Sequence, residues 1–340
     1  MALRVTLAAL ALLALAVVPF FAGQYALFVC AQMITLIYIA ASLQVSFAYA
    51  RVLSFMQGTF FGVGGYVGCV AHRSAVGLPG MLVLAIVASS VFGLVVGFVV
   101  TRMKGAHTSV NCTLLIATIT LMCANSFVGI TGGEDGLSLR GGSDIFGFPV
   151  AFGANRPTYF LALIPLVAYF VFTMFAERTT FGAVMKAVGS NETRAAQLGY
   201  NVVARHLVVF TITAGAAGYG GAMNAVVLQH VSSALFEPNL SLTAVLWAAV
   251  GGLGQPLGAL YGALVVFPLT ELAARLFQYV DIAVGALLIV AALLFPQGVA
   301  GLIEILTVGF NPERNPKKYW RRAEKVAARL HERISDVAGP

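Results

Sequence analysis

The stretch MLVLAIVASSVFGLVVGFVVT, residues 81–101, carries no charged side chain, and how it is read decides the fold. A bilayer's hydrocarbon core is about 30 Å thick, and a helix crosses it with about 20 apolar residues. The run meets that length. A membrane β-strand would instead alternate apolar and polar residues over about ten positions, and residues 81–101 do not alternate. They read as one transmembrane helix.

Runs of the same kind lie on both sides. Before it come 5–21, 26–43 and 52–71. After it come 108–130 and 158–176, then, past a polar break, 207–228, a short run at 240–250, 257–270 and 282–302. The composition agrees: of 340 residues 59% are hydrophobic and 10% charged, with a mean hydropathy of +0.91. Soluble domains average about 25% charged residues, so this chain has too little polar material to cover a water-facing surface. Its length alone would suit two soluble domains. Its apolar content argues for one membrane domain, because lipid lets a protein be apolar outside as well as inside. The expectation is an all-α, polytopic helical membrane protein of about ten transmembrane segments, one of them short or broken. Residues 1–310 then form the membrane domain and 311–340 a basic cytoplasmic tail.

Lysine and arginine concentrate on the cytoplasmic side of membrane proteins. With the N-terminus inside and all ten segments crossing, Arg4, Arg51, Arg102, Lys104, Arg178, Lys186, Arg194 and Arg205 fall on the inner side, together with eight basic residues of the tail. Arg73, Arg140, Arg156 and Arg275 fall outside. The reversed topology inverts that bias, so both termini are placed in the cytoplasm. Segment 5–21, with Arg4 ahead of it and Ala22-Gly23 behind, has the outline of a signal peptide. Removing it would break the parity, and it is read as a retained helix. Cys30, Cys69, Cys112 and Cys123 lie in apolar runs without CxxC spacing and read as small packing residues. The net charge of +7 comes mostly from the tail, and it suits anionic lipid headgroups rather than nucleic acid.

Three polar regions interrupt the apolar pattern: an outer one at 131–157, an inner one at 177–206, and the tail from Asn311. In the inner region two short helical stretches, 181–187 and 193–198, are separated by Gly189-Ser190-Asn191. Asn191 is placed to cap the second, with Glu192 in its first turn, and Gly199 to end it in a left-handed conformation. Such a small, stiff, mildly charged protrusion fits a groove on another protein, or it is an ordinary connector; the pattern alone leaves both open. In the tail, Trp320, Ala323, Val326, Ala327, Leu330 and Ile334 recur at helical spacing among basic residues. That is the pattern of an interfacial helix, or of a solvated tail that only fixes topology.

Glycine is abundant, with 36 residues, and much of it falls inside the apolar runs. Gly58 with Gly62, Gly64 with Gly68, Gly93 with Gly97, and Gly254 with Gly258 and Gly262 recur every four residues, the spacing that lets helices approach closely. Between two short runs, Gly251-Gly252-Leu253-Gly254 reads as a break in a helix within the membrane, and such breaks line pathways in transporters. No GxxxxGK[ST] run is present, so the chain has no P-loop of its own. HExxH, GxSxG and paired-cysteine zinc spacings are missing too, and no cofactor is expected. Ion-coupled carriers keep charged side chains near mid-bilayer, whereas the first eight segments here have none at their centres. Glu271 and Arg275, four apart at a segment's end, read as a surface pair.

The inner region resembles the coupling loop of the branched-chain amino acid ABC permeases, the LivH/LivM family. The resemblance rests on Phe181-Gly182-Ala183, Ala187-Val188, Asn191-Glu192, Ala195-Ala196 and Leu198-Gly199. Further matches follow in the family's order: Leu53-Ser54 through Gly58, Phe60-Phe61-Gly62 and Gly64-Gly65-Tyr66; Thr131-Gly132-Gly133-Glu134-Asp135-Gly136-Leu137; Ala217-Gly218 with Gly221-Ala222; Gly251-Gly252-Leu253-Gly254 with Gly258; and Phe295-Pro296 with Gly298. The TGG loop is similar to that of the LivM-like half of the pair. Met56-Gln57 and Trp247-Ala248-Ala249 depart from the family's pattern and bear on the solute, since urea, amide and aromatic-acid importers share the permease type.

The resemblance implies a permease subunit of a bacterial ABC importer in the inner membrane. Its partners would be a second, LivH-like permease, two ABC ATPase subunits and a periplasmic solute-binding protein, with lipid around it. It would not itself be an enzyme. It implies ATPase coupling through Phe181, Gly182, Ala187, Asn191, Glu192, Ala195, Ala196 and Gly199. It also implies a pathway along Gln57, Phe60, Phe61, Tyr66, Trp247, Gly251, Gly252 and Gly254, and binding-protein contact at Gly132, Gly133, Glu134 and Asp135. The competing class is an ion-coupled carrier or channel that needs no ATPase.

Overall fold

The computed structural model describes residues 2–276 and 285, apart from 52, 53, 75, 104, 105, 140, 146, 147 and 256. Gly285 aside, the tenth apolar run at 282–302, the Phe295-Pro296 match and the tail at 311–340 lie outside the described residues. In chain order come helices α1 (Ala2–Phe21), α2 (Gln24–Ala50), α3 (Gln57–Arg73), α4 (Leu78–Arg102), α5 (Ala106–Ser126) and α6 (Val128–Thr131). Strands β1 (Leu137–Ser138), β2 (Gly142–Ile145) and β3 (Phe148–Ala151) lead to α7 (Arg156–Arg178), α8 (Thr180–Ser190), α9 (Glu192–Gln197) and α10 (Val202–Leu228). Strand β4 (His230–Val231), a 3-10 turn at Ser233–Phe236, α11 (Pro238–Gly251) and α12 (Gly258–Leu276) complete it.

Among the described residues, α2, α4, α5, α7 and α10 are long and apolar enough to cross a membrane, while Thr6–Phe21, α11 and α12 are shorter apolar helices. The protein is a polytopic helical bundle, and the short run at 240–250 lies in α11. α10 lies at the centre, packed on α2, α3 and α4. Glycine makes that packing possible: a Cβ on Gly64 would lie 2.1 Å from the Gly218 carbonyl oxygen, and one on Gly93 2.3 Å from the Ala214 methyl. Val83, Val87, Val91 and Leu94 of α4 point outward and stay exposed, which suits a face against lipid.

Two prolines inside helices show how the bundle keeps its backbone satisfied. A proline removes the hydrogen bond to the carbonyl four residues earlier, and in lipid no water can replace it. Pro165 frees the Leu161 carbonyl, which accepts from the Tyr219 hydroxyl at 2.6 Å. Pro19 frees the Leu15 carbonyl, which accepts from the Tyr159 hydroxyl at 2.8 Å.

Some expectations need correction. The helix in run 52–71 begins only at Gln57 and continues to Arg73. Run 108–130 breaks at Phe127, between α5 and α6. The all-helical reading leaves out short strands: in the outer region β2 and β3 form an antiparallel hairpin, and β1 pairs with β4 through Leu137 opposite Val231 and Ser138 opposite His230. Glu271 accepts from the Tyr25 hydroxyl at 2.7 Å, and its expected pairing with Arg275 falls on a side chain outside the described residues. In the inner region α8 continues through Gly189 and Ser190, so Asn191 alone separates it from α9. Gly189 stays helical because it abuts the end of α2, where a Cβ would come 2.5 Å from the Tyr49 carbonyl oxygen.

Candidate functional site

The inner polar region folds into a stiff foot. At its start Thr179 is extended, and its Oγ1 accepts from the Gly182 amide at 3.4 Å, capping α8. Asn191 caps α9 by accepting from the Arg194 amide at 2.9 Å, and Asn201 caps α10 by accepting from the Ala204 amide at 3.0 Å. Gly199 ends the foot at φ +86°, a left-handed conformation that glycine enters without a Cβ clash.

Met185 ties the foot to the bundle. The spacing of Gly182, Met185 and Val188 places all three on one helical face, and all three are buried. Met185 is 2% exposed and sits among Val45, Ala48, Tyr49 and Ala50 of α2 and Val209 of α10. Lys186 pairs with Glu177 at the end of α7. On the other side Phe181, Ala187, Asn191, Glu192, Ala196 and Gly199 are exposed, and Leu198 is 72% exposed. Gly182 and Ala195 face inward, so they support the foot and present no surface of their own. Glu192 Oε1 lies 3.8 Å from Nε2 of buried His206.

At the other end of α7 lies the outer loop. Thr131 donates to the Ala124 carbonyl at 2.5 Å and accepts from the Gly133 amide at 3.2 Å. Gly132, Gly133 and Gly136 have φ of +76°, +67° and +69°. A Cβ on Gly136 would lie 2.0 Å from the Val231 carbonyl oxygen. Glu134 and Asp135 are exposed between these turns. Through the β1–β4 pairing the loop connects to the Ser233–Phe236 turn, which folds back onto α3. There the Phe236 ring stacks on Tyr66 with centroids 5.4 Å apart and fills the notch at Gly62.

The break expected after residue 250 is present. α11 stops at Gly251, and Gly252 and Gly254 have φ of +112° and +80°. Gln44 of α2 holds the break, its Nε2 donating to the Gly252 carbonyl at 2.5 Å and the Gln255 carbonyl at 2.6 Å. Trp247 meets Phe267 edge-on at 5.9 Å, and Phe60 meets Phe92 the same way at 6.1 Å. Gln57, Phe60, Phe61, Tyr66, Trp247, Gly251 and Gly252 are all buried, and Gly254 is half-buried. They lie on α3, on α11 and in the turn that follows it, and α3 and α11 pack on each other and on α2, so the arrangement is closed. Sequence reasoning missed Gln44, Met185 and Phe236. A glutamine one residue past the uncharged run 26–43 is the signal that could have found the first.

The family described as the permease component of branched-chain amino acid transport systems matches residues 25–295 of this chain. The chain belongs to that family. The permease is 25% identical over 313 residues to the high-affinity branched-chain amino acid transport system permease protein LivM of Salmonella typhimurium, an alignment covering 85% of this chain and 73% of that protein. The LivM protein of Escherichia coli is 25% identical over 290 residues, covering 78% of this chain and 68% of its own. A probable LivM of Methanocaldococcus jannaschii is 26% identical over 216 residues, covering 62% of this chain and 61% of its own. No solved structure matches the permease. The family match takes in the foot, the outer loop and the broken element. It makes the chain a multi-pass membrane transport component.

Proposed function

We propose that this permease is the LivM-like half of a bacterial ABC importer that moves branched-chain or related small amino acids across the inner membrane. It pairs with a LivH-like permease, receives solute from a periplasmic binding protein at Glu134 and Asp135, and is driven by two cytoplasmic ATPases. Both termini lie in the cytoplasm. The observation that carries this reading is the foot: short helices with side-chain caps, an exposed Leu198, and a buried face on which Met185 packs against α2 and α10. Caps make the foot rigid, the exposed apolar residue gives a partner something to grip, and Met185 passes a push to α2 and α10. ATP-driven closure of the ATPases then moves the foot and rocks the bundle around the broken element at Gly251–Gly258.

Co-purification tests the docking. The substitutions Glu192→Ala and Gly199→Trp together are expected to abolish capture of the ATPase subunits of its importer, with the permease still folded. Retained capture would count against the foot. Import of leucine into proteoliposomes, by this chain alone under an ion gradient, would replace the reading with an ion-coupled carrier.

A further inference from the structure

α2 has a polar face that the foot, the outer loop and the broken element leave unused. Thr35, Ser42 and Ser46 are fully buried, and spacings of seven and four put them on one side of the helix over about 16 Å. Two side chains from other helices reach onto it. Asn224 of α10 donates through Nδ2 to Thr35 Oγ1 at 3.0 Å, and Gln57 of α3 accepts through Oε1 from Ser42 Oγ at 2.8 Å. Polar bonds between helices serve as glue in membranes, and these two bonds fit that role. The leftover atoms do not. Asn224 Oδ1, Gln57 Nε2 and Ser46 Oγ have no partner among the described residues, on side chains no more than 2% exposed. A buried polar atom without a partner destabilises a protein, and the bilayer core supplies no water to relieve it. Alanine, valine or leucine would fill the same seam without that cost.

We infer that this face of α2, with Gln57 and Asn224, is a hydrogen-bonding track for the polar backbone of the transported amino acid, closed in this conformation. The inference rests on the importer reading and names where within the bundle the solute passes. The Gln57 amide and the Ser46 hydroxyl can donate to a carboxylate, and the Asn224 carbonyl can accept from an ammonium group. None of these groups is charged, so they match a solute of zero net charge and hold it weakly enough to release it. The levels of Thr35 and Ser42 are about 10 Å apart along the helix. A small amino acid is therefore handed from one group to the next, never held by all of them together.

The test is made on the assembled transporter, with the chain's four cysteines replaced by alanine. Thr35→Cys, Ser42→Cys and Ser46→Cys are exposed to 2-aminoethyl methanethiosulfonate during ATP turnover, with Ala40→Cys as an equally buried control on the far side of α2. Labelling at the track positions is expected at least tenfold faster than at residue 40; equal rates overturn the inference. In proteoliposomes, Ser46→Ala and Gln57→Met should raise the KM for leucine import at least fivefold without lowering the unfolding midpoint. An unchanged KM with a raised midpoint shows a structural seam and rejects the track. Failure of the unsubstituted transporter to import any branched-chain amino acid overturns the functional reading instead, and the labelling rates still decide whether the face opens to a polar solute.

Discussion

The Tyr219 hydroxyl donates to the Leu161 carbonyl at 2.6 Å, and that carbonyl is the one Pro165 leaves without its helical amide. Tyr219→Phe removes the donor alone and strands the carbonyl in apolar surroundings. The expected loss is about 1–2 kcal/mol in unfolding free energy. Pro165→Ala in the same chain restores the amide within α7 and should recover most of it. A double-mutant cycle by denaturant unfolding in micelles checks this; two purely additive losses would mean the hydroxyl does not serve the proline.

Close approach between α3 and α10 sets a second expectation. A Cβ on Gly64 would meet the Gly218 backbone at 2.1 Å, and backbone cannot swing aside as a side chain can. Gly64→Ala is expected to cost at least the 1–3 kcal/mol typical of overpacking, about the upper end of that range. Gly64→Val should leave no folded chain to purify. Gly129, with open space around its Cβ position, is the control whose alanine variant stays near neutral. Size-exclusion profiles and melting curves of the three variants give the answer.

How legible this was depends on what kind of information each feature needs. Residues 81–101 announce a crossing because length and apolarity act locally, and Gly64, Gly93 and Gly218 stand out by their four-residue spacing or their setting in apolar runs. The caps at Asn191 and Gly199 could be read for the same reason, since a cap involves residues three or four apart. The β1–β4 bridge joins residues more than ninety apart, and nothing near Leu137 or Val231 signals the other. Gly189 looked like a turn and is helical, because the decisive contact is with Tyr49 on a distant helix. The inward orientation of Gly182 and Ala195 was hidden for a related reason: the motif names the residues, and only packing says which of them face inward.

Met185 is the anchor through which a push on the foot reaches α2 and α10. Met185→Ala removes most of that contact. A methionine-to-alanine change in a packed site costs about 2–5 kcal/mol where it is felt globally; here the cost falls on the small cluster beneath α8. The expected phenotype is uncoupling: ATPase subunits still co-purify, because the exposed face is intact, while import falls at least tenfold. Loss of co-purification would show that Met185 shapes the docking surface and not the transmission.

The broken element makes the final prediction. Where α11 ends, the Gly252 and Gln255 carbonyls have turned out of helical register, and one side chain, Gln44, donates to both. Gln44→Leu preserves apolar bulk on α2 but removes one donor from each carbonyl, leaving them the backbone bonds from the Gln255 amide at 3.3 Å and the Gly258 amide at 2.9 Å, so each lost bond is worth about 0.5–1.5 kcal/mol. Gln44→Asn keeps the amide group one methylene short, so it should recover at most one of the two bonds. The order of stability is therefore Gln44, then Asn, then Leu. Protection from hydrogen exchange across residues 252–258 should fall in the same order while α4 is unaffected. Uniform loss of protection throughout the bundle would instead mean that Gln44 supports the packing of α2 generally, and that the break is held by the glycine contacts between α11 and α12.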